Sequence, residues 1–353
     1  MNREMSPYSP LLLPFVAVMG LMPLRVAECI WYSANVLLIF ILSAILLDIA
    51  RVKINAHRLL VVASLILLSR VGQSNQILGQ FGLYFCLFTW VAVHFADSNK
   101  VRSAIGLMFA SIKPTFGIPL ILMMLVNRKI QPVVLGVLFA GLGAGLALSW
   151  IMLHEPTRLL ASFEDSGNAN AADKDVDPDS AWMRTDLFSV FARRFSLGSD
   201  LKSELMGMMV ILLPAFWALW KLTKAQPSDE TRSLELATVT TMIPLCIYHL
   251  SYDMLVVLPA LALACGGRLF ATQHQPLWYR YAYIVLLSVP LFNYLAAYSV
   301  MEKLHIEGAL RELAIMANPM ALLAANFVIW LAVYNHQALS AKNQQTVVAS
   351  NFN

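Results

Sequence analysis

A lysine lies in the middle of an apolar stretch, directly before a proline. Lys113-Pro114 interrupts residues 104–126, and its neighbours are apolar apart from Ser111 and Thr115. A charged side chain at this depth costs roughly 2.5–3.5 kcal/mol on membrane-insertion scales, so it usually lines a cavity or meets a partner. A desolvated ammonium beside a helix break could bind an anion such as the phosphate of a lipid carrier. Alternatively, Lys113 could extend to the outer headgroups of the bilayer.

Three amides and a hydroxyl are concentrated at Gln73, Ser74, Asn75 and Gln76. Amides donate and accept hydrogen bonds without carrying charge, which suits the hydroxyls of a sugar. A polar turn between two helices is the alternative, although Gly, Asp or Pro would be more typical of a turn. Gln73 and Asn75 are therefore candidate substrate-binding residues.

A third polar cluster runs from Tyr248 to Asp253. His249 could bind phosphate or carry a proton near neutral pH, and Asp253 could act as a base or pair with a cation. Tyr252 is a further candidate contact to substrate. Because aromatic residues are also common at membrane interfaces, a binding role and an interfacial role both remain open.

The elements that must position these clusters are membrane helices. Apolar residues make up 59% and charged residues 13% of the 353 residues, whereas soluble domains average about 45–50% and about 25%. A span needs roughly 20 apolar residues, and the segments that satisfy or approach this length are 26–47, 59–71, 77–96, 104–126, 131–153, 203–222, 234–248, 254–266, 277–300 and 313–335. The sequence predicts an all-α polytopic membrane protein of about ten transmembrane helices, some short and broken, in a single domain over 1–353.

Lysine and arginine are concentrated in alternate linkers, which orients the chain. Cytoplasmic loops carry the excess of these residues. The linkers predicted to be cytoplasmic are therefore 48–58, 97–102, 127–129 and 266–281. The long acidic loop 154–202 then faces outward into the periplasm, and 336–353 forms a cytoplasmic tail. All three polar clusters reach the outer face.

Three segments do not fit a plain alternation of spans. Residues 104–126 begin and end at cytoplasmic linkers, so they are predicted to form a hairpin of two half-length helices with Lys113 at its tip. Residues 8–22 are predicted to form a re-entrant or interfacial helix. Residues 185–195 have helical apolar spacing and predict an amphipathic helix on the outer surface, capped by Thr185 or Asp186.

Composition also excludes several classes of partner. The net charge is only +4, and no basic stretch is interleaved with aromatic residues as in a nucleic-acid groove. The four cysteines lie in apolar runs without paired spacing. The sequence therefore predicts no nucleic-acid partner, no metal site and no cofactor.

Residues 72–129 resemble the family 87 glycosyltransferases. The shared pattern is a Gly-Gln-x-Asn turn, a helix, a basic linker, a Gly-containing helix that ends in Lys-Pro, and a basic end. The resemblance continues at Tyr8-Ser9-Pro10, at Asp186-Leu187-Phe188-Ser189 and from His249 to Asp253. It implies a C-type glycosyltransferase fold, with Gln73, Asn75, Lys113 and His249 facing a site for the lipid phosphate and the sugar.

The resemblance implies a hexosyltransferase at the outer face of a bacterial inner membrane. It would move mannose or another hexose from a polyprenyl-phosphate carrier to a lipid or glycan acceptor. The family's catalytic Asp lies in an outer loop after a first transmembrane helix, and this chain is expected to lack both. Asp253 is the fallback for the catalytic base.

Two other functions remain open on the residues alone. A polytopic transporter or lipid flippase would use the same interrupted helices and intramembrane lysine. A non-catalytic relative would not need the missing Asp. The concentration of polar groups toward one face favours the enzyme, because a transporter needs polar groups lining both halves.

Overall fold

The computed structural model describes residues 9–154, 184–195, 201–246, 248–270 and 276–350, and within them it is helical. These residues form no strand, and the only β-type pairing among them is one antiparallel bridge between Arg184 and Leu250. The α-helices are α1 (Leu13–Gly20), α2 (Leu24–Ile49), α3 (Ala56–Leu68), α4 (Arg70–Ile77), α5 (Gly82–His94), α6 (Lys100–Ala110), α7 (Pro114–Val126), α8 (Ile130–His154), α9 (Leu187–Phe195), α10 (Leu201–Leu222), α11 (Asp229–Met242), α12 (Leu258–Cys265), α13 (Leu277–Phe292), α14 (Tyr298–Lys303) and α15 (Gly308–Ser350). Short 3₁₀ helices cover Pro10–Leu12, Ile243–Leu245, Ser251–Val257 and Tyr294–Ala296. The predicted all-α class is confirmed.

Four helices of the described residues are long and apolar enough to cross a membrane. They are Leu24–Ile49, Ile130–His154, Lys202–Leu222 and Gly308–His336, and the bent pair α3–α4 would make a fifth. The predicted number of about ten is not confirmed, because other apolar helices have only 10–17 residues. A helix of that length rises about 15–26 Å, whereas the hydrocarbon core is about 30 Å thick.

The segment 104–126 forms the predicted helical hairpin. Helix α6 ends at Ala110 and α7 begins at Pro114, with Lys113 extended at φ −103° and ψ 107° as its N-cap. The residue before a proline is restricted to extended conformations, which explains the break. Lys129 Nζ lies 2.7 Å from both carboxylate oxygens of Asp97. This ion pair joins the start of α6 to the end of α7, so both arms meet at one end of the bundle and Lys113 lies at the other.

Glycines allow the hairpin arm α6 to pack closely against its neighbours. A Cβ on Gly106 would lie 2.6 Å from the backbone nitrogen of Ala92 in α5. A Cβ on Gly136 of α8 would lie 2.9 Å from Leu107 in α6. Helix α6 is therefore held between α5 and α8.

The basic linkers meet at the base of the hairpin. Arg51 pairs with Asp229, Arg268 Nη1 donates to the carbonyl of Ile49 at 3.3 Å, and Arg268 Nη2 lies 3.8 Å from Asp229. Asp97 and Asp229 line the same cavity. The sequence-based assignment of these linkers to one face is confirmed, while its identity as the cytoplasmic face stays a prediction.

The predicted helix at residues 8–22 forms as the 3₁₀ turn at Pro10 and α1. Ser9 N donates to the carbonyl of Ile112 at 2.6 Å, which ties this segment to the hairpin tip. Phe15, Val18 and Leu21 are exposed, as expected for side chains in contact with lipid. Tyr8 lies outside the described residues, as do 155–183 and 196–200 of the predicted outer loop.

Candidate functional site

Lys113 forms a buried ion pair with Asp253. Its Nζ lies 2.6 Å from Asp253 Oδ2, and the two side chains are 2% and 0% exposed. The two residues are 140 positions apart in the chain. The sequence predicted a buried ammonium at the helix break, and the structure places a carboxylate beside it rather than leaving it alone.

His249 shares the same carboxylate. Its Nδ1 lies 3.2 Å from Asp253 Oδ2, and its Nε2 lies 3.2 Å from the carbonyl oxygen of Thr115. Both ring nitrogens therefore face oxygen acceptors. An imidazolium donates to both acceptors, whereas a neutral ring donates to only one.

Asp253 is held by the turn that precedes it as well as by Lys113 and His249. The backbone N–H of Leu250 donates to its Oδ2 at 2.9 Å. Oδ1 is buried and has no hydrogen-bond partner among the described residues. Asp253 thus fixes Lys113, His249 and the start of the 251–257 helix through a single oxygen atom.

Aromatic rings enclose the ammonium of Lys113. Its Nζ lies 5.4 Å from the ring centroid of Tyr252, 5.6 Å from that of Phe116 and 5.9 Å from that of Tyr248. The negative faces of aromatic rings attract a cation, most strongly where water is excluded. The predicted site residues Lys113, Tyr252 and His249 are therefore brought together in one buried cluster with Asp253.

Arg184 and Thr185, which precede α9, contact the backbone of this cluster at His249 and Leu250. Thr185 N donates to the carbonyl of His249 at 2.8 Å, beside the bridge between Arg184 and Leu250. Arg184 Cζ lies 5.3 Å from the ring centroid of Tyr248, whose backbone has a φ of 38°. Tyr248 thus lies within reach of two cations, in a left-handed conformation that is uncommon for a bulky residue.

Arg184 is itself buried among carboxylates. Its Nε lies 2.9 Å from Asp186 and its Nη1 2.9 Å from Glu204. Burial by itself lowers the pKa of the Arg184 guanidinium, but the charges and hydrogen bonds of Asp186 and Glu204 outweigh it and raise that pKa. The guanidinium therefore remains charged.

The helix predicted at 185–195 forms, but it does not simply lie on the surface. Asp186 Oδ1 accepts from Ser189 N at 2.8 Å, so Asp186 is the cap of α9. Leu187, Phe188 and Val190 are buried against the bundle, while Phe195 is exposed. The expectation of a surface helix was wrong for this half of α9, because Asp186 also pairs with Arg184 and holds the helix start inside.

The amide cluster is a helix rather than a turn. Helix α4 is bent by 73° from α3, and Ser69 at the break accepts from Gly72 N at 2.9 Å. Asn75 is buried, and neither of its amide atoms has a partner among the described residues. A Cβ on Gly82 would lie 2.8 Å from Asn75 Oδ1 and 2.6 Å from the carbonyl of Tyr252, which places Asn75 beside the cluster. Gln73 is exposed and is not part of the buried cluster.

Several contributing residues were not singled out from the sequence. Thr115 places its carbonyl against His249 and has a buried hydroxyl without a partner among the described residues. Arg184 gave no signal, since it follows an acidic stretch of ordinary composition. No group of three or more His, Cys, Asp or Glu side chains suited to a metal occurs in the described part of the chain.

The comparisons with known proteins give one match. The family model for glycosyltransferase family 87 matches residues 7–247, more than half of the chain. The matched range contains Asn75, Lys113 and Asp186 and ends just before Tyr248. No curated protein and no solved structure is significantly similar to the chain.

Proposed function

Because this chain belongs to glycosyltransferase family 87, we propose that it is a membrane enzyme that transfers a sugar from a polyprenyl-phosphate carrier. The acceptor is a lipid or a glycan, and the sugar is mannose or another hexose. The reaction takes place at the outer face of a bacterial inner membrane, away from the basic linkers. The C-type glycosyltransferase fold is part of this proposal.

One observation carries the proposal, namely the buried cluster of Lys113, His249 and Asp253 at the hairpin tip. Lys113 and His249 share the single carboxylate of Asp253. The cluster lies at the N-terminus of α7, whose helix dipole favours an anion. Lys113 has three donors, and the hydroxyl of Thr115 is buried without a described partner. A phosphate at this point would meet the Lys113 ammonium, the His249 ring, the Thr115 hydroxyl and the helix end together.

These groups would assist sugar transfer electrostatically. When the bond between the sugar and the phosphate breaks, negative charge accumulates on the departing phosphate oxygen. Preorganised donors in a site without water stabilise such charge more than water does. Lys113 and His249 supply these donors.

Asp253 has the role of holding Lys113 and His249 in position. Its Oδ2 already accepts from Lys113 and Leu250 and faces His249. Only Oδ1 has lone pairs to offer to an acceptor hydroxyl. Asp253 is therefore a positioning residue first, and it remains the fallback base only through Oδ1.

Asn75 and Tyr252 would contact the sugar. The amide of Asn75 can donate and accept, and both of its functions lack a described partner. Its position beside Tyr252 brings it close to the phosphate site. Gln73 is exposed on the same helix, so we place it at the edge of the proposed site, where the substrate would enter.

A transporter or flippase is the second candidate, and one observation favours it. A polar cavity of about 450 Å³ lies at the end of the bundle where the basic linkers meet, lined by Asp48, His94, Asp97, Arg232, Glu235 and Arg268 among others. The buried apolar side chains of Val239, Met242 and Leu245 follow along the chain between this cavity and the cluster. We favour the enzyme because this apolar layer separates the two polar regions.

The proposal is tested with three variants of the ion pair. Lys113→Met alone would leave Asp253 buried with only His249 and the Leu250 N–H beside it, and losing one partner of a buried ion pair costs about 3–5 kcal/mol. The double variant Lys113→Met with Asp253→Asn removes both charges and is expected to fold. We expect this double variant to lose binding of a polyprenyl-phosphate hexose and transfer of radiolabelled sugar, while Asp253→Asn alone, which keeps the Lys113 donors but not their buried partner, is less stable than the double variant and binds more donor.

Lys303→Met, at an exposed lysine of α14, serves as the matched control and should behave like the wild type. Unchanged donor binding in the folded double variant would disprove the phosphate role of Lys113. Passage of the intact labelled lipid across proteoliposomes without sugar transfer would favour the transporter.

A further inference from the structure

Arg70 is a second buried cation, and most of its donors are unused. It lies at the bend between α3 and α4 and is only 5% exposed. Its Nη2 donates to the carbonyl of Ala296 at 2.7 Å, whereas Nε and Nη1 have no partner within the described residues. None of the ion pairs among the described residues includes it. A buried guanidinium without a carboxylate is costly, which points to an anionic ligand.

An apolar groove begins beside Arg70. Its volume is about 360 Å³, and helices α2, α3, α12 and α13 line it with Leu46, Leu65, Ser69, Leu261, Ser288 and Phe292 among others. The two serine hydroxyls donate to backbone carbonyls of their own helices, to Ile66 and Ile284. The groove wall is therefore apolar over its length and suits a hydrocarbon chain.

Arg70 and the groove meet at one end. Ser69 of the groove wall directly precedes Arg70, and Phe292 of the wall lies two residues before the segment 294–296 that accepts from Arg70. Tyr294 also donates to the carbonyl of Leu68, which fixes this segment against the end of α3. Arg70 and the segment that accepts from it thus adjoin the wall residues Ser69 and Phe292 at one end of the groove.

This arrangement is separate from the Lys113 cluster. The 3₁₀ helix Ser251–Val257 and α12 follow one another in the chain, with Tyr252 and Asp253 facing Lys113 and Leu258 and Leu261 lining the groove. The groove lining therefore shares no residue with the Lys113 cluster.

We propose that Arg70 and the groove form a binding site for an anionic glycerophospholipid of the surrounding bilayer. Nη2 donates one of its two N–H groups to Ala296, and the other forms a two-donor fork with the adjacent N–H of Nε or Nη1 that matches the two free oxygens of a phosphodiester. The single charge of Arg70 balances the single charge of a phosphatidylglycerol-type headgroup, while a zwitterionic headgroup would bring its own ammonium. One acyl chain occupies the groove.

The test uses native mass spectrometry of the detergent-purified full chain with phosphatidylglycerol, phosphatidylethanolamine and polyprenyl phosphate as probes. Arg70→Gln should bind phosphatidylglycerol roughly tenfold more weakly, the ratio expected for one lost charge-assisted hydrogen bond. Arg70→Lys keeps the charge without the fork and should bind with intermediate affinity. Ser288→Phe leaves Arg70 intact and fills the groove, and it should also lose the lipid.

Arg25→Gln, at an exposed arginine of α2, is the matched control and should bind phosphatidylglycerol normally. The Lys113 and Asp253 double variant should likewise keep this lipid, which separates the failure of this proposal from failure of the proposed transferase function. Full retention of phosphatidylglycerol by Ser288→Phe and by the folded Arg70 variants would overturn the site. Preferential binding of polyprenyl phosphate there would overturn it equally, since the groove would then belong to the carrier.

Discussion

Lys113 and Asp253 show how a single pair of side chains can organise a membrane site. A buried ammonium and a buried carboxylate each require the other, because either alone would be left uncompensated in a medium of low dielectric. Asp253 uses one oxygen for this purpose and accepts from the turn at Leu250 with the same atom. The pair therefore joins the hairpin tip to the 248–253 turn at the point where the proposed phosphate binds.

Both members of this pair were singled out from the sequence, but not their contact. Lys113 is conspicuous because it is charged, stands before a proline and has apolar neighbours. Asp253 was named as a base or as the partner of a cation, but the sequence could not show which cation, since Lys113 is 140 residues away and only the packing of the 251–257 helix brings the two together. Asn75, Tyr252 and His249 were predicted and lie in or beside the cluster, whereas Gln73 lies apart.

A substitution of Arg184 gives a prediction for a single buried residue. We expect Arg184→Met to lower the free energy of unfolding by about 3–5 kcal/mol, because Asp186 would remain buried without a cation. Thermal unfolding of the protein in detergent measures this loss. Arg194→Met, at an exposed arginine of α9, is the control and should unfold like the wild type. Equal melting of the two variants would mean that the buried ion cluster does not brace the fold.

Among the helices, α4 shows where local sequence reasoning fails. A polar turn between two helices was one of the two interpretations left open for Gln73–Gln76, and no apolar periodicity in the segment indicated a helix. The helix forms because Ser69 caps it and because Arg70, Val71 and Asn75 are buried by neighbouring elements. Such support comes from residues far along the chain, so the sequence of the segment alone could not reveal it.

The close packing of α6 gives a prediction for helices. We expect Gly106→Ala to destabilise the protein by about 1–3 kcal/mol, the usual range for overpacking. The added Cβ would lie 2.6 Å from Ala92 N and 2.8 Å from Phe88 O, and backbone atoms cannot move aside easily. Thermal unfolding measures the effect.

Gly145→Ala on α8 is the matched control for that helix test, because a Cβ there meets nothing within 4 Å. It should leave stability unchanged or raise it by at most about 1 kcal/mol through better helix propensity. If Gly106→Ala proves as harmless as this control, α6 and α5 are not in the contact described.

For the whole molecule, charge distribution predicted the grouping of linkers more reliably than hydropathy predicted the number of spans. The contacts Asp97–Lys129 and Arg51–Asp229 bring together linkers that were assigned to one face by their basic residues. The predicted number of about ten spans is not confirmed, because apolar helices such as α5 and α7 have only 13 residues each. Hydropathy detects apolar character, but it does not show how far a helix extends through the bilayer.

Orientation in the membrane gives a prediction for the whole molecule. In a background with Cys29 and Cys265 replaced by Ser, single cysteines are placed at the exposed positions Ser98, Arg128 and Glu307. We expect an impermeant maleimide to label Glu307→Cys in intact cells, and Ser98→Cys and Arg128→Cys only after permeabilisation, since basic linkers stay in the cytoplasm. Different accessibility of Ser98→Cys and Arg128→Cys would contradict the hairpin.

The short hairpin also has a consequence for the lipids around it. Its first arm, α6, has 11 residues and rises only about 16 Å, roughly half of the hydrocarbon thickness. Lipids that touch such a mismatched element thin and bring their headgroups inward. The membrane–water interface is therefore expected to lie deeper near the hairpin tip. A carrier lipid that diffuses within its leaflet would then bring its phosphate to the depth of Lys113 without leaving the bilayer.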